Sequence, residues 1–113
     1  MSDVWISEHR LWLEGVPAFE ELMAPECVMA FGPSGIMRNE QIVESLREAI
    51  RWSGVEMMDR SICTPAENVT IIAYRAHARR DDAEPYAAIC TSSYVCVDGY
   101  WWLTHHQQTP VSQ

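Results

Sequence analysis

The dipeptide Asp98-Gly99, set between two apolar-rich runs, constrains this chain more than any other feature. A two-residue hairpin loop needs positive φ at both positions, which glycine adopts freely and aspartate tolerates, so the flanking runs are expected to pair as antiparallel strands. The second run reads Tyr-Trp-Trp-Leu-Thr-His-His-Gln-Gln-Thr-Pro from Tyr100 to Pro110. Its alternate side chains pass from large and apolar (Trp101, Leu103) to polar (His105, Gln107). That gradient belongs to a curved sheet with a packed base and a polar mouth, a shape suited to a small ligand.

Helical signals precede the strand signals, which indicates an α+β layout rather than alternating βαβ units. Ser2 or Asp3 is placed to cap a first helix whose Trp5, Leu11, Trp12 and Val16 fall near one stripe, ended by Gly15 and Pro17. A short second helix is expected over 17–23, with Pro17 in its first turn. A brief strand over 27–31 then turns through 32–35 to a partner at Ile36-Met37. Asn39 is expected to cap a third helix in which Ile42, Val43, Leu46, Ala49 and Ile50 repeat at helical spacing, stopped by Ser53-Gly54. Strands are expected over 55–63, 68–80 and 86–97 before the tryptophan-rich one, separated by Pro65 and by the acidic loop 81–85.

Strand register carries the functional reading. With a two-residue turn, Cys96 pairs with Trp101, Tyr94 with Leu103, Ser92 with His105 and Cys90 with Gln107. If the 81–84 loop closes symmetrically, Arg79 faces Tyr86, which sets Arg75 and His77 on the same face; an odd loop turns that strand over. One face is then expected to collect Arg75, His77, Ser92, Tyr94, Trp101, His105 and Gln107 as the lining of a pocket. The opposite face, with Tyr74, Ile89, Val95 and Trp102, is apolar enough to require cover. A second copy of the chain is expected to supply it, as a homodimer.

Composition excludes other classes. The 113 residues fit one domain over 1–113, and a formal charge of −8 leaves no electrostatic footprint for nucleic acid or anionic lipid. No apolar run reaches the roughly 20 residues needed to span a bilayer. Cys27, Cys63, Cys90 and Cys96 lack Cys-x-x-Cys spacing, and the N-terminus has no signal-peptide pattern; reduced thiols in the cytoplasm are expected. No metal is expected, since the adjacent His105 and His106 point to opposite faces of a strand.

The Ala30-Phe31-Gly32 turn with its following helix, the strand from Tyr86 to Tyr94, and Gly99-Tyr100-Trp101 with Leu103, His105, Gln107 and Thr109-Pro110 together resemble the NTF2-like superfamily. The likeness is nearest to its SnoaL-like and DUF4440-type members. The resemblance covers essentially the whole chain and implies a cone-shaped, cystatin-like α+β barrel: three helices on a strongly curved, mixed and mostly antiparallel sheet. The superfamily holds enzymes and binding modules alike, so fold does not give function. The favoured expectation is a homodimeric binder of a small polar or anionic molecule. The alternative is a SnoaL-like enzyme that moves a proton on a carbonyl substrate as an isomerase, cyclase or dehydratase would, without a cofactor. In that case His105 or His77 serves as the acid-base group, Asp59 as the base expected by analogy with isomerase-like members, and Arg75 and Tyr94 hold the oxyanion. Arg75 is equally well placed to form an ion pair with Asp59 or Glu56 on the neighbouring strand, and Asp59 is better placed for surface exposure or for pairing with Arg60 or Arg75 than for catalysis.

Overall fold

The hairpin forms as expected: Asp98 and Gly99 hold φ of 53° and 81°, and Val97 faces Tyr100 across them. The structure is a computed structural model that describes residues 3–81 and 83–112. In chain order it contains α1 (Val4–Glu14), α2 (Val16–Leu22), β1 (Met23–Phe31), β2 (Gly35–Arg38), α3 (Asn39–Glu48), β3 (Gly54–Ala66), β4 (Val69–Arg79), β5 (Tyr86–Val97) and β6 (Tyr100–Pro110). The strands form one mixed sheet in the order β2-β1-β6-β5-β4-β3, with β1 parallel to β6 and the other neighbours antiparallel. The sheet is open, β2 and β3 being its edges, so the expected barrel is instead an α+β layering of three helices on an unclosed sheet.

The helix ends follow local chemistry. Asp3 Oδ1 accepts from the Ile6 amide at 3.2 Å and so starts α1; Ser2, the other candidate cap, lies outside the described residues. At α3 the cap is Arg38 rather than Asn39, the Arg38 amide donating to Gln41 Oε1 at 3.0 Å. Asn39 is used across the fold instead: its side chain accepts from the Cys27 amide at 3.1 Å and donates to the Ala24 carbonyl at 3.0 Å, pinning the helix start to β1. α3 stops at Glu48, short of Ala49 and Ile50, and only Ile42 of its stripe is fully buried. Pro65 lies within β3 rather than ending it, which an edge strand tolerates because one side needs no N–H donor.

Two register differences decide which side chains face the helices. β4 meets β5 with Ala78 opposite Tyr86 and Ile72 opposite Ser92, one position away from the symmetric closure of the 81–84 loop; Asp82 in that loop lies outside the described residues. Tyr74 therefore turns into the core, and Arg75 and His77 turn away from it. β6 keeps the expected register from Tyr100 to Leu103, which faces Tyr94. Thr104 is then an extra residue with no opposite number, a bulge that sets His105 against Ser93 and His106 against Ser92. The two-residue turn is correct, and the bulge beyond it exchanges the faces of the two histidines.

The core lies between the three helices and the face that carries Ile72, Tyr74, Tyr94 and Leu103. On the opposite face Ile89, Val95 and Trp102 remain partly exposed, whereas Tyr74, expected beside them, is buried within. Among the described residues no helix is long and apolar enough to cross a membrane.

Candidate functional site

Glu8 is the centre of the buried polar chemistry. On α1 it shares the buried stripe with Val4, Leu11 and Trp12, positions spaced so that all four point at the sheet, and it is 1% exposed. Three hydroxyls from the sheet donate to it: Tyr74 to Oε2 at 2.5 Å, Ser92 to Oε2 at 2.7 Å and Tyr94 to Oε1 at 2.7 Å. The Trp12 indole N–H donates in turn to the Tyr74 hydroxyl at 2.9 Å. Burial by itself pushes a carboxyl up, but the hydrogen bonds of His106, Tyr74 and Ser92 outweigh it and hold Glu8 below its ordinary value. The same burial and the Glu8 charge push Tyr74 and Tyr94 well above theirs, so both remain hydroxyl donors.

A directed chain of hydrogen bonds leads from this carboxylate toward Tyr86. The Tyr86 hydroxyl donates to Gln108 Oε1 at 3.0 Å, which leaves the Gln108 amide nitrogen to donate to His106 Nε2 at 3.0 Å. His106 Nδ1 then carries the proton and donates to Ser92 Oγ at 2.6 Å, and Ser92 donates to Glu8. His106 Nδ1 is also 3.4 Å from Glu8 Oε2. Every group in the chain has its partner, which is what a low-dielectric interior demands of polar atoms.

Glu8, His106 and Gln108 form part of the wall of a cavity of about 300 Å³ between the helices and the sheet. Its remaining wall is largely apolar and aromatic, with Trp12, Phe19, Leu103 and Trp52 prominent. Trp12 and Trp52 meet edge to face at 5.8 Å, and Trp52 stacks on Tyr86 at 5.5 Å. At the rim, Arg80 lies over the Trp52 ring at 4.0 Å, and Arg51 packs against Gly15. The buried thiols of Cys27 and Cys90 are poor nucleophiles, burial pushing Cys27 up to about 11 and Cys90 to about 12. Among the described residues no group of three or more His, Cys, Asp or Glu side chains is arranged to hold a metal ion.

The residues expected in one pocket divide between two faces. Ser92 and Tyr94 are inside, bonded to Glu8, and Trp101 is half-buried against the core. Arg75, His77, His105 and Gln107 face the other way, for the register reasons given above. Burial, and then the neighbouring His106, lower the His105 value. Asp59 sits at a β3 bulge with φ of 52°, its side chain 81% exposed and its Oδ2 3.8 Å from Arg75 Nε, the ion pair open to it in the sequence. The structure thus does not bring His105, His77 and Asp59 together. Sequence reasoning missed Glu8 and Gln108, and set His106 on the outer face, to turn inward only if the strand register slips. Glu8 had a signal, an acid four residues after Val4 and three and four before Leu11 and Trp12 on an otherwise apolar stripe. Nothing in the sequence marks the Thr104 bulge.

No family model and no curated protein matches this sequence. Solved structures match it in fold. An NTF2-like protein of unknown function in nutrient uptake from Rhodospirillum rubrum superposes with a TM-score of 0.82 at 16% identity, covering 97% of this chain and 99% of that one. The association domain of C. elegans CaMKII gives 0.75 at 12% identity over 92% and 87%. A protein with a cystatin-like fold from Caulobacter vibrioides gives 0.73 at 16% identity over 98% and 87%. The chain has the NTF2-like, cystatin-like fold, as the resemblance in its sequence implied, and at these identities the likeness concerns fold alone.

Proposed function

We propose that this protein binds a small polar or anionic molecule in the cavity between the helices and the sheet. The observation that carries the reading is the buried Glu8 carboxylate, fully hydrogen-bonded and presented to the cavity wall beside His106 and Gln108. A fixed polar end in an otherwise apolar, aromatic cavity is the arrangement that orients a small ligand. A thermal-shift screen of small carboxylates and ketones tests it. Any ligand present at a hundred times its Kd stabilises the folded state by roughly 2.7 kcal/mol, and a screen in which no compound raises the melting temperature counts against the reading.

The hydrogen-bond chain from Tyr86 to Glu8 favours a second reading, that of a SnoaL-like enzyme moving a proton on a carbonyl substrate. We assign the acid-base role in that case to His106 rather than His105, because His106 lines the cavity and its Nδ1 is oriented by Ser92 and Glu8. Given a turned-over substrate, His106→Gln lowers the rate about a hundredfold or more while His105→Gln leaves it nearly unchanged. The reverse order restores His105.

We further propose a homodimer through the outer sheet face, by way of Ile89, Val95 and Trp102. Its support is the partly exposed apolar surface there, together with the description of one structural neighbour as an association domain.

A further inference from the structure

All eight basic residues of the chain are arginines, set against sixteen acids. Arg10, Arg38, Arg47, Arg75 and Arg79 each lie within 4 Å of a carboxylate. Arg60 donates to the Met57 carbonyl at 3.0 Å and stacks on Trp5. Arg51 and Arg80 have no carboxylate partner among the described residues, and both are at the rim of the cavity. Among the described residues Arg51 Nη1 and Arg80 Nε are buried without a hydrogen-bond partner, and Arg80 makes a long bond from Nη1 to the Ile50 carbonyl at 3.4 Å. A buried guanidinium donor is tolerated at low cost only when an anion or acceptor completes it.

The surroundings keep these two cations in place. Gly15 carries φ of 67°, and a Cβ built there comes within 1.7 Å of Arg51 Nη1, so the absence of a side chain makes room for the guanidinium. Trp52 supports Arg80 from below. Among the described residues that line the cavity the carboxylates and guanidinium groups are Glu8, Arg51 and Arg80, with His106 hydrogen-bonded between Gln108 and Ser92. One net positive charge remains for a ligand to neutralise.

We propose that the cavity takes a small organic monocarboxylate, its carboxylate held at the rim by Arg51 and Arg80 and its apolar or aromatic body lying along Trp52 toward Leu103. This rests on the small-molecule reading above and adds the ligand class to it. The charge balance selects a monoanion over a dianion such as a phosphate monoester, because the Glu8 carboxylate already occupies the inner end. The cavity volume, near the lower limit for ligand pockets, selects a compact body.

The test titrates the full chain with phenylacetate, benzoate and hexanoate, with the primary amide of each, and with phenyl phosphate, while the indole signals of Trp12 and Trp52 report occupancy by NMR. The expected result is that at least one carboxylate binds about tenfold or more tightly than its amide and than phenyl phosphate, the usual worth of a charge-assisted contact. Arg51→Gln and Arg80→Gln, each checked for an unchanged circular-dichroism spectrum, remove that preference and leave amide binding as it was. Amides that bind as well as the acids and move the same indoles overturn the carboxylate assignment and leave the small-molecule reading standing, as does a preference for phenyl phosphate. If no compound moves either indole, both fall.

Discussion

Tyr94 donates its hydroxyl to Glu8 at 2.7 Å although 86 positions separate the two in the chain. Together with Tyr74 and Ser92 this bond fastens the first helix to the middle of the sheet through a single carboxylate. Glu8→Leu keeps the side-chain volume roughly constant but strands three buried hydroxyls. It is expected to destabilise the fold by roughly 3 kcal/mol or more, at about 1 kcal/mol or more for each orphaned donor, as urea unfolding would measure. Tyr94→Phe removes one donor only and costs about 1 kcal/mol. Equal losses in the two variants would mean that the carboxylate is not the hub.

The same carboxylate gives the fold an acid-side dependence. Its folded value is below the ordinary 4.5, so the stability it contributes is fully present above that pH and is lost as the pH falls through the lower folded value. Glu8→Gln lacks this contribution. The difference in urea midpoint between wild type and Glu8→Gln is therefore expected to hold from pH 7 to about 4.5 and to shrink with further acidification; a difference independent of pH contradicts the charged assignment of Glu8.

Gly15 supports both backbone and site. At its φ of 67° and ψ of −130° a side chain is strained, so Gly15→Ala is expected to cost about 1–3 kcal/mol. Because the new methyl group also occupies the place of the Arg51 guanidinium, the variant should weaken carboxylate binding in the same direction as Arg51→Gln. Stability lost with the binding preference intact would confine Gly15 to a backbone role.

Assembly through the outer face is checked by light scattering. Wild type is expected to give twice the monomer mass at micromolar concentration and Trp102→Glu the monomer mass, since each copy of the interface would otherwise bury an unpaired charge. A monomeric wild type removes the interface.

The sequence contains the element order and the hairpin because those depend on local signals: turn chemistry at Asp98-Gly99, alternation in β4 to β6, helical spacing in α3. Which face each strand presents depends on one-residue details, and there local pattern fails. Thr104 forms the bulge, and its hydroxyl donates to the Glu26 carbonyl at 2.9 Å on the neighbouring β1, a contact made only in the folded chain. The β4 to β5 loop closes off centre, so Tyr74 rather than Arg75 reaches the helices. Arg51 and Arg80 line the same cavity, Arg80 over the Trp52 ring, and no spacing in the sequence connects them.

The position of β6 in the sheet, between β1 and β5, also sets an order of assembly. The hairpin of β1 with β2 and the meander of β3, β4 and β5 are two separate pieces with exposed edges until β6 enters between them. Its parallel register with β1 links positions roughly eighty residues apart, such as Met29 with His106, so this pairing carries the largest loop-closure cost in the sheet. Until that strand docks, the His106 side of the polar hub has no place to form, and a chain interrupted before it carries two further open strand edges, those of β1 and β5, the kind of surface on which unfolded copies aggregate.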